Sequence, residues 1–174
     1  MEPIIRNGIF LRLITVDDAQ FILRLRTDPH LSIYISYTKP KIAYQVKWIQ
    51  KYKKKEELGF EYYFIAEDQN GNKYGTIRLC NFGAKSFEVG SWVFLPKSPF
   101  GMAVKTHMIG VETGFKMLNA DYCRIRVNKK NIGVLQYLEV FKPMVIKEDT
   151  FDYYYVISKA NFYFHKKRLN VINL

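Results

Sequence analysis

Residues 93–104 combine a strand end, a glycine and a helix start, an arrangement that can bind a phosphate. An extended segment ends at Leu95, and hydrophobic spacing predicts a helix over residues 102–118. The first amides of a helix have no partners within it and point along its dipole, so they attract anions. Gly101 lets the backbone approach such a ligand closely, although a plain turn would also use glycine. We therefore predict that a phosphorylated ligand binds at this helix start.

The elements that must position this site are predicted from periodicity, turn residues and caps. The predicted strands cover residues 10–15, 62–67, 73–82, 86–94, 122–127, 144–147 and 153–157. The predicted helices cover residues 16–26, 41–58 and 102–118, and a further helix begins at Asn131. The order β-αα-βββ-α-β-α-ββ predicts an α/β (α+β) fold, in which a mixed, mostly antiparallel sheet is flanked by helices on both faces.

Length and composition predict one domain over residues 1–174. Apolar residues make up 48% of the chain, which argues against disorder. No apolar run is long enough to cross a membrane, and the first residues lack the pattern of a secretion signal. Cys80 and Cys123 lie in predicted strands, where we expect packed, reduced thiols. These features together predict a cytoplasmic protein with no membrane partner.

The net charge of +11 suits an anionic partner, such as nucleic acid, an acidic membrane or a phosphorylated small molecule. Four lysines crowd residues 51–55, where solvated charge opposing a helix dipole is the simpler explanation. No zinc finger, RNA-recognition signature or glycine-arginine repeat accompanies the charge, so we do not expect a nucleic-acid partner. His30, His107 and His165 have no ligand spacing with either cysteine, so no metal site is expected.

Three short motifs occur in a consistent order along the chain. Residues 98–103 read S-P-F-G-M-A, similar to R/Q-x-x-G-x-G/A but with serine in the first position. Residues 131–143 are similar to N-x-x-[VS]-x-x-[FLY]-[YH]-x-x-x-G-F, with Leu138 where a tyrosine is common and Lys142-Pro143 in place of the final G-F. Residues 87–92, F-E-V-G-S-W, are similar to an E-[IL]-G-[YW] run. Over about residues 10–159 the sequence resembles the GNAT acyltransferase superfamily, especially ribosomal-protein alanine and amino-sugar N-acetyltransferases.

The resemblance implies transfer of an acetyl group from acetyl-coenzyme A, as co-substrate, to a primary amine. Backbone groups of the fourth predicted strand and of the following helix start would bind the coenzyme. Asn131 would contact the coenzyme arm, cap its own helix, or do both. The implied coenzyme-binding residues are Val93, Phe94, Leu95, Phe100, Gly101, Met102, Ala103, Val104 and Asn131.

Two side chains would be catalytic by the same resemblance. Glu88 would take the proton of the amine, and Tyr137, one position before the common tyrosine, would protonate the leaving thiolate. Strict alternation places Glu88 on the face of Trp92 and Phe94, apolar surroundings that would make it a stronger base. A structural acceptor role for Glu88 and simple packing for Tyr137 are the alternatives. The residues expected to contact the acceptor, or else to pack at its rim, are Tyr34, Tyr37 and Trp92.

Several functions remain open at this point. The first is N-acetylation of a small amine, for example a nucleotide-linked amino sugar, which the basic surface favours. The second is acetylation of a protein N-terminus or lysine, and the third is a non-catalytic protein that binds coenzyme A or a partner. A nucleic-acid-binding module rests on charge alone. The basic and aromatic extension over residues 160–174 either covers the domain or meets a second copy in a homodimer.

Overall fold

The structure, a computed structural model, describes residues 1–171; the last part of the predicted extension, residues 172–174, lies outside the described residues. The strands are β1 (Ile4–Arg6), β2 (Ile9–Leu13), β3 (Tyr62–Glu67), β4 (Lys73–Cys80), β5 (Ser86–Phe94), β6 (Tyr122–Asn128), β7 (Met144–Glu148) and β8 (Asp152–Ser158). The α-helices are α1 (Ala19–Thr27), α2 (Ile42–Glu57), α3 (Met102–Met117), α4 (Ile132–Glu139) and α5 (Lys159–Val171). None of these helices is long and apolar enough to span a membrane within residues 1–171.

The eight strands form one sheet in the order β1-β2-β3-β4-β5-β6-β8-β7. Neighbouring strands are antiparallel except β5 and β6, which run parallel and are connected through α3. The predicted mixed, mostly antiparallel sheet and its order of elements are confirmed. The structure adds β1, which turns into β2 at Asn7 and Gly8 with φ of 52° and 73°, and the helix α5.

Two hydrophobic cores cover the two faces of the sheet, as expected for helices on both sides. On one face α1 and α2 bury Ile22 and Ile49 against β3 and against Ile14, the residue that follows β2. On the other face α3, α4 and α5 contribute to a larger core. Phe162 of α5 is fully buried, with its ring 5.6 Å from Phe115 and 5.5 Å from Phe141. This part of the extension therefore covers the domain.

Helix α3 lies unusually close to the sheet because two of its positions are glycines. A side chain at Gly114 would overlap the ring of Phe87, and one at Gly110 would overlap Ile77. Phe87 is itself fully buried, with its ring 5.3 Å from that of Phe115. These contacts fix α3, and therefore its first turn, against β4 and β5.

Strand β5 carries a β-bulge in its second half. Val93 pairs with Thr76 and Gly90 pairs with Arg78, so two residues of β5 face the single residue between those partners on β4. Ser91, one of the two, has a φ of 48°, a conformation uncommon for any residue other than glycine. The hydroxyl of Thr76 donates a 2.7 Å hydrogen bond to the carbonyl oxygen of Ser91 and holds the bulge in place.

The bulge coincides with the point at which β5 leaves β6. Their parallel pairing runs from Ser86 opposite Tyr122 to Val89 opposite Ile125 and stops there. Strand β5 continues to Phe94, and β6 continues alongside β8. Because a bulge bends its strand and increases its twist, the two strands separate beyond these four pairs.

Neither cysteine is in a state to react. Cys80 and Cys123 are buried and form no disulfide bond within the described residues, which agrees with the packed thiols expected from the sequence. Burial raises the pKa of Cys80 to about 11 and also raises that of Cys123. Both therefore remain thiols near neutral pH, and thiols are far weaker nucleophiles than thiolates.

Candidate functional site

A cavity of about 90 Å³ opens where β5 and β6 separate. Gly90, Ser91 and Trp92 line it from β5, and residues 125–128 line it from β6. Helix α4 closes one side with Leu138. The gap thus has strand backbone on two sides, which suits a ligand that is thin and extended.

The start of α3 has the geometry predicted for an anion site. Gly101 caps the helix with a φ of 74°, which only glycine adopts at little cost. The amide of Met102 donates to the carbonyl of Pro99, and that of Lys105 donates to the carbonyl of Gly101. Between them, the amides of residues 103 and 104 belong to the first turn, which leaves its N–H groups without intrahelical partners. This turn can therefore donate to a phosphate.

Beyond the bulge, some backbone N–H and C=O groups of β5 are hydrogen-bonded to protein partners and others point away from β4. The Leu95 amide donates to the Tyr74 carbonyl, and the Leu95 carbonyl accepts from the amide and hydroxyl of Ser98. The coenzyme-binding role predicted for Leu95 therefore does not fit, because its backbone groups already have partners. Opposed residues of an antiparallel pair alternate in exchanging hydrogen bonds, so Phe94, next to Leu95, turns its amide and carbonyl away from β4. By the same alternation, Val93 directs its backbone toward β4.

Asn131 lies both at the start of α4 and at the edge of the gap. Its side-chain oxygen accepts a 3.4 Å hydrogen bond from the amide of Val134, which caps α4. The same residue lines the cavity between β5 and β6. Asn131 therefore caps α4 and borders the gap at the same time.

Three aromatic rings meet beside that gap. His107 of α3 lies 4.7 Å from the ring of Trp92 and 5.4 Å from that of Tyr137, between centroids. The Trp92 indole donates to the carbonyl of Ala103, which ties β5 to the start of α3. His107 Nδ1 lies 3.0 Å from the Tyr137 hydroxyl, whereas His107 Nε2 is buried and has no partner within residues 1–171.

Burial determines the protonation of this cluster. It lowers the pKa of His107 to about 3, so the imidazole is neutral near pH 7. It also raises the pKa of Tyr137, so the phenol keeps its proton. A neutral imidazole and a phenol share one hydrogen bond, and the direction of that bond depends on the imidazole tautomer.

The surroundings of Glu88 differ from the expectation. Phe87 and Val89 point into the core on the α3 face, so Glu88 between them points to the opposite face. The bulge shifts the alternation by one residue and places Trp92 and Phe94 on the α3 face instead. The predicted apolar neighbours of Glu88 are therefore wrong. Its carboxylate instead accepts a 2.9 Å hydrogen bond from the Asn81 amide.

The face that carries Glu88 contains two joined cavities. One, of about 260 Å³, is lined by Glu88, Gly90, Arg126 and Tyr34. The other, of about 350 Å³, lies between the loop before α2, α2 itself and β4. Its aromatic and cationic lining consists of Tyr37, Tyr44, Trp48, Arg26, Lys39 and Arg78.

The structure thus separates the three residues predicted to contact an acceptor. Tyr34 lines both the gap and the 260 Å³ cavity that contains Glu88. Tyr37, 86% exposed, lies at the rim of the 350 Å³ cavity. Trp92 lines the gap and contacts α3. Ser91 lines all three cavities, so the bulge is where they meet.

Several residues of these cavities were missed from the sequence. His107 lies three residues after Val104 and next to Met108, on the predicted buried stripe of α3, so its burial could have been inferred. No role was predicted for Arg26 or Arg78, because their contacts depend on loops and strands distant in the sequence. Within residues 1–171, no three His, Cys, Asp or Glu side chains are grouped in a way that could hold a metal ion.

Comparison with known proteins identifies the family of this fold. A family model described as "Acetyltransferase (GNAT) domain" matches residues 9–140, which is most of the chain. The apo structure of FdhC, described as a nucleotide-linked sugar GNAT, is 32% identical and covers 98% of this chain and 96% of its own, with a TM-score of 0.84. No curated protein sequence matches the chain significantly.

Two more distant structures share the fold. Spermidine N-acetyltransferase from Vibrio cholerae, in complex with CoA and spermine, is 17% identical with a TM-score of 0.75, covering 91% of this chain and 99% of its own. Ribosomal-protein-S5-alanine acetyltransferase from Vibrio fischeri is 16% identical with a TM-score of 0.75, covering 91% and 96%. The family match and the 32% identity to FdhC over nearly the full length agree with the motifs in the sequence. The chain therefore belongs to the GNAT acetyltransferase family.

Proposed function

We propose that the protein is an acetyl-coenzyme A-dependent N-acetyltransferase whose acceptor is a nucleotide-linked amino sugar. One observation carries this proposal: the gap between β5 and β6 opens at Ser91 directly onto cavities lined by cationic and aromatic side chains. A thioester in the gap would lie next to an amine held on the other side of the bulge. The 32% identity to a nucleotide-linked sugar GNAT supports the same choice.

The residues around the gap fit coenzyme A. Its diphosphate suits the first turn of α3, where the amides of Ala103 and Val104 point outward behind Gly101. Its extended arm suits the gap, where Phe94 presents backbone groups and Asn131 a side-chain amide. Phe100, 92% exposed beside this turn, would contribute backbone contacts, whereas Met102 has its side chain buried beneath the turn and its amide bonded to Pro99. When bound, acetyl-coenzyme A supplies the acetyl thioester.

Glu88 is the proposed base. It lines the cavity that adjoins the bulge, so its carboxylate faces the side from which an amine would approach. The amine must lose a proton to attack, and a carboxylate can take that proton directly or through one water molecule. The hydrogen bond from Asn81 fixes one Glu88 oxygen and leaves the other free to act.

Tyr137 is the proposed acid, with His107 as its positioning residue. The family's common tyrosine position holds Leu138, which lines the gap but has no proton to give. The Tyr137 hydroxyl lies within hydrogen-bond distance of His107, a residue that lines the same gap. A neutral His107 that donates from Nδ1 would stabilise the phenolate formed when Tyr137 gives its proton to the departing thiolate.

The charge of the larger cavity distinguishes between acceptor classes. Arg26, Lys39 and Arg78 line it, and none of its lining residues is an aspartate or a glutamate. Glu61 neutralises Arg78, so the positive charge of the cavity comes from Arg26 and Lys39. A polyamine or a lysine would be repelled by such a cavity, whereas a diphosphate would be attracted. Trp48 and Tyr44 add aromatic surface on which a base can stack. The cavity therefore suits an anionic acceptor with an aromatic part.

Thiol release from acetyl-coenzyme A tests the proposal. The panel contains UDP- and dTDP-linked amino sugars, the free amino sugars, spermidine, and peptides with alanine N-termini or lysine. Turnover confined to nucleotide-linked sugars supports the proposed acceptor, and turnover of peptides alone supports protein acetylation instead. Coenzyme binding without turnover of any amine would support a non-catalytic protein, which the serine at position 98 and Leu138 also suit.

A further inference from the structure

Arg26, in the last turn of α1, is held in an unusual way. Its Nε donates to Thr38 Oγ1 at 2.7 Å, and its Nη2 donates to Ser36 Oγ at 2.9 Å and to the Ser36 carbonyl at 3.2 Å. Its Nη1 has one contact, 3.4 Å to Ser91 Oγ. All of these acceptors are neutral. Among the ion pairs within residues 1–171, none includes Arg26, so its positive charge has no carboxylate partner.

The neighbouring Arg78 shows what a structural arginine looks like in the same cavity. It forms an ion pair with Glu61 and lies 5.3 Å from the centroid of the Trp48 ring. Its charge is therefore neutralised within the protein. The guanidinium of Arg26 is also fixed, by Ser36 and Thr38, but both of these partners are neutral and do not compensate its charge.

The position of Arg26 is as informative as its contacts. It lines both the larger cavity, with Trp48, and the smaller one, with Glu88. The larger cavity provides the aromatic surface of Trp48, Arg26 provides a fixed cation where the two cavities adjoin, and the smaller cavity provides the carboxylate of Glu88. A nucleotide-linked amino sugar has the matching order of base, diphosphate and amine-bearing sugar.

We propose that the Arg26 guanidinium is a phosphate-binding site that anchors the diphosphate of a nucleotide-linked acceptor. The proposal rests on the proposed function for the identity of that acceptor. Nη1 donates to the phosphate oxygen, since its present contact to Ser91 is the longest of the four and the easiest to exchange. Nε and Nη2 keep their bonds to the loop before α2, so the guanidinium need not reorganise on binding.

Lys39 supports the anchor without replacing it. Its ammonium lies 4.0 Å from the centroid of the Tyr44 ring, at the exposed rim of the larger cavity. It attracts an anion to the cavity from solution, but the ammonium sits on a flexible side chain, whereas the Arg26 guanidinium is already held in place. Specific phosphate binding is therefore assigned to Arg26.

Calorimetric titration with UDP and with dTDP tests the site directly. The titrations are done at saturating coenzyme A, so that the helix start of α3 is already filled and cannot take the probe. Arg26→Gln is expected to weaken binding about tenfold to a hundredfold, because a hydrogen bond to a charged group is lost. Arg26→Lys is expected to recover only part of the affinity. Uridine, which has no phosphate, should bind the wild type and Arg26→Gln equally.

Arg24→Gln is the matched control. Arg24 lies two residues before Arg26 in α1, is exposed, and has its guanidinium carbon 5.7 Å from the centroid of the Phe21 ring, outside the three cavities. The Arg24→Gln variant loses the same charge as Arg26→Gln and should bind both nucleotides as the wild type does. Equal affinity of the wild type and Arg26→Gln for the nucleoside diphosphates, or no binding by the wild type, overturns the proposal. Thermal unfolding of each variant confirms that it folds.

The two proposals fail in different measurements. If no amine is acetylated, the proposed function fails, and the titrations still decide whether Arg26 binds phosphate. If nucleotide-linked sugars are acetylated and Arg26→Gln keeps the wild-type KM for them, the function stands and the Arg26 site is wrong. If the variant raises that KM while the KM for acetyl-coenzyme A stays constant, both proposals are supported.

Discussion

The hydroxyl of Thr76 lies 2.7 Å from the carbonyl oxygen of Ser91 and donates a hydrogen bond to it. This single bond joins the regular strand β4 to the bulged residue of β5, next to the point where β5 leaves β6. Ser91 keeps a left-handed backbone with φ of 48°, which costs free energy unless neighbouring groups hold it. The Thr76 side chain is therefore part of what keeps the gap open.

We expect Thr76→Val to lower the free energy of unfolding by about 1–3 kcal/mol, because the valine leaves the Ser91 carbonyl without its donor. Thr106→Val is the matched control, since the Thr106 hydroxyl is equally buried but has no partner within residues 1–171. Urea unfolding of both variants measures the difference. Equal destabilisation by the two changes would contradict the role assigned to the Thr76 bond.

The close approach of α3 to the sheet predicts a large cost for a single methyl group. Gly114→Ala places that group in the ring of Phe87, which is fully buried and cannot move aside, so we expect a loss of about 1–3 kcal/mol or more. Gly133→Ala in α4 has open space around it and should raise helix stability by up to about 1 kcal/mol. Thermal and urea unfolding would show opposite signs for the two alanines.

Burial of neutral His107 predicts a pH dependence of stability. Its folded-state pKa is lowered to about 3, below the value near 6.5 in the unfolded chain. As pH falls below 6.5 the unfolded state binds a proton that the folded state refuses, so stability declines by up to about 1.4 kcal/mol per pH unit. Burial alone would raise the pKa of Asp18 and Glu112, but their ion pairs lower both to about 2, so their contribution is lost only at more acidic pH.

Urea unfolding between about pH 6.5 and 4.5 isolates this contribution. His107→Gln is expected to flatten the decline in this window, whatever its effect on stability at pH 7. His30→Gln, at an exposed position, should keep the wild-type slope. A slope that persists unchanged in His107→Gln would show that another group titrates.

The glycine at the start of α3 predicts a specific effect on coenzyme affinity. Gly101→Ala strains a backbone with φ of 74° and adds a methyl group where a diphosphate would approach, so KM for acetyl-coenzyme A should rise roughly tenfold or more. Gly8→Ala carries the same strain at φ of 73°, in the turn between β1 and β2. It should lower stability in a similar way but leave KM unchanged, and steady-state kinetics distinguishes the two.

The proposed acid predicts a loss of turnover without a loss of binding. Tyr137→Phe keeps the ring in its aromatic cluster but removes the proton, so kcat should fall by about a hundredfold or more while both KM values stay nearly constant. Tyr122→Phe, at an exposed tyrosine on β6, should change neither parameter. Wild-type kcat in Tyr137→Phe would leave Tyr137 with a packing role only.

Local patterns in the sequence predicted most of the fold. The apolar stripe predicted α3 to within one residue of its observed end, and residues 86–94 were predicted as a strand with the observed bounds. The cap at Asn131 was also predicted correctly. Strand β1 was missed although Asn7 and Gly8 are typical of a tight hairpin turn.

The site was harder to predict because it depends on one irregular residue. No pattern in the sequence indicates that Ser91 takes a left-handed backbone, since the hydrogen bond that holds it comes from another strand. Without the bulge, strict alternation put Glu88 beside Trp92, and this was wrong. Arg26 was missed for a similar reason, because the oxygens that fix it come from a loop and from the bulge itself.

Beyond their last shared pair, β5 and β6 each have an unpaired strand edge inside the sheet, in addition to the outer edges at β1 and β7. An exposed strand edge can pair with the backbone of another chain and so promotes aggregation. Here the unpaired groups lie inside the molecule, enclosed by α4 and the Trp92 indole, so that only a slender molecule can reach them. Unpaired strand backbone that would promote aggregation on the surface therefore admits, in this enclosed gap, only ligands that are narrow enough to enter it.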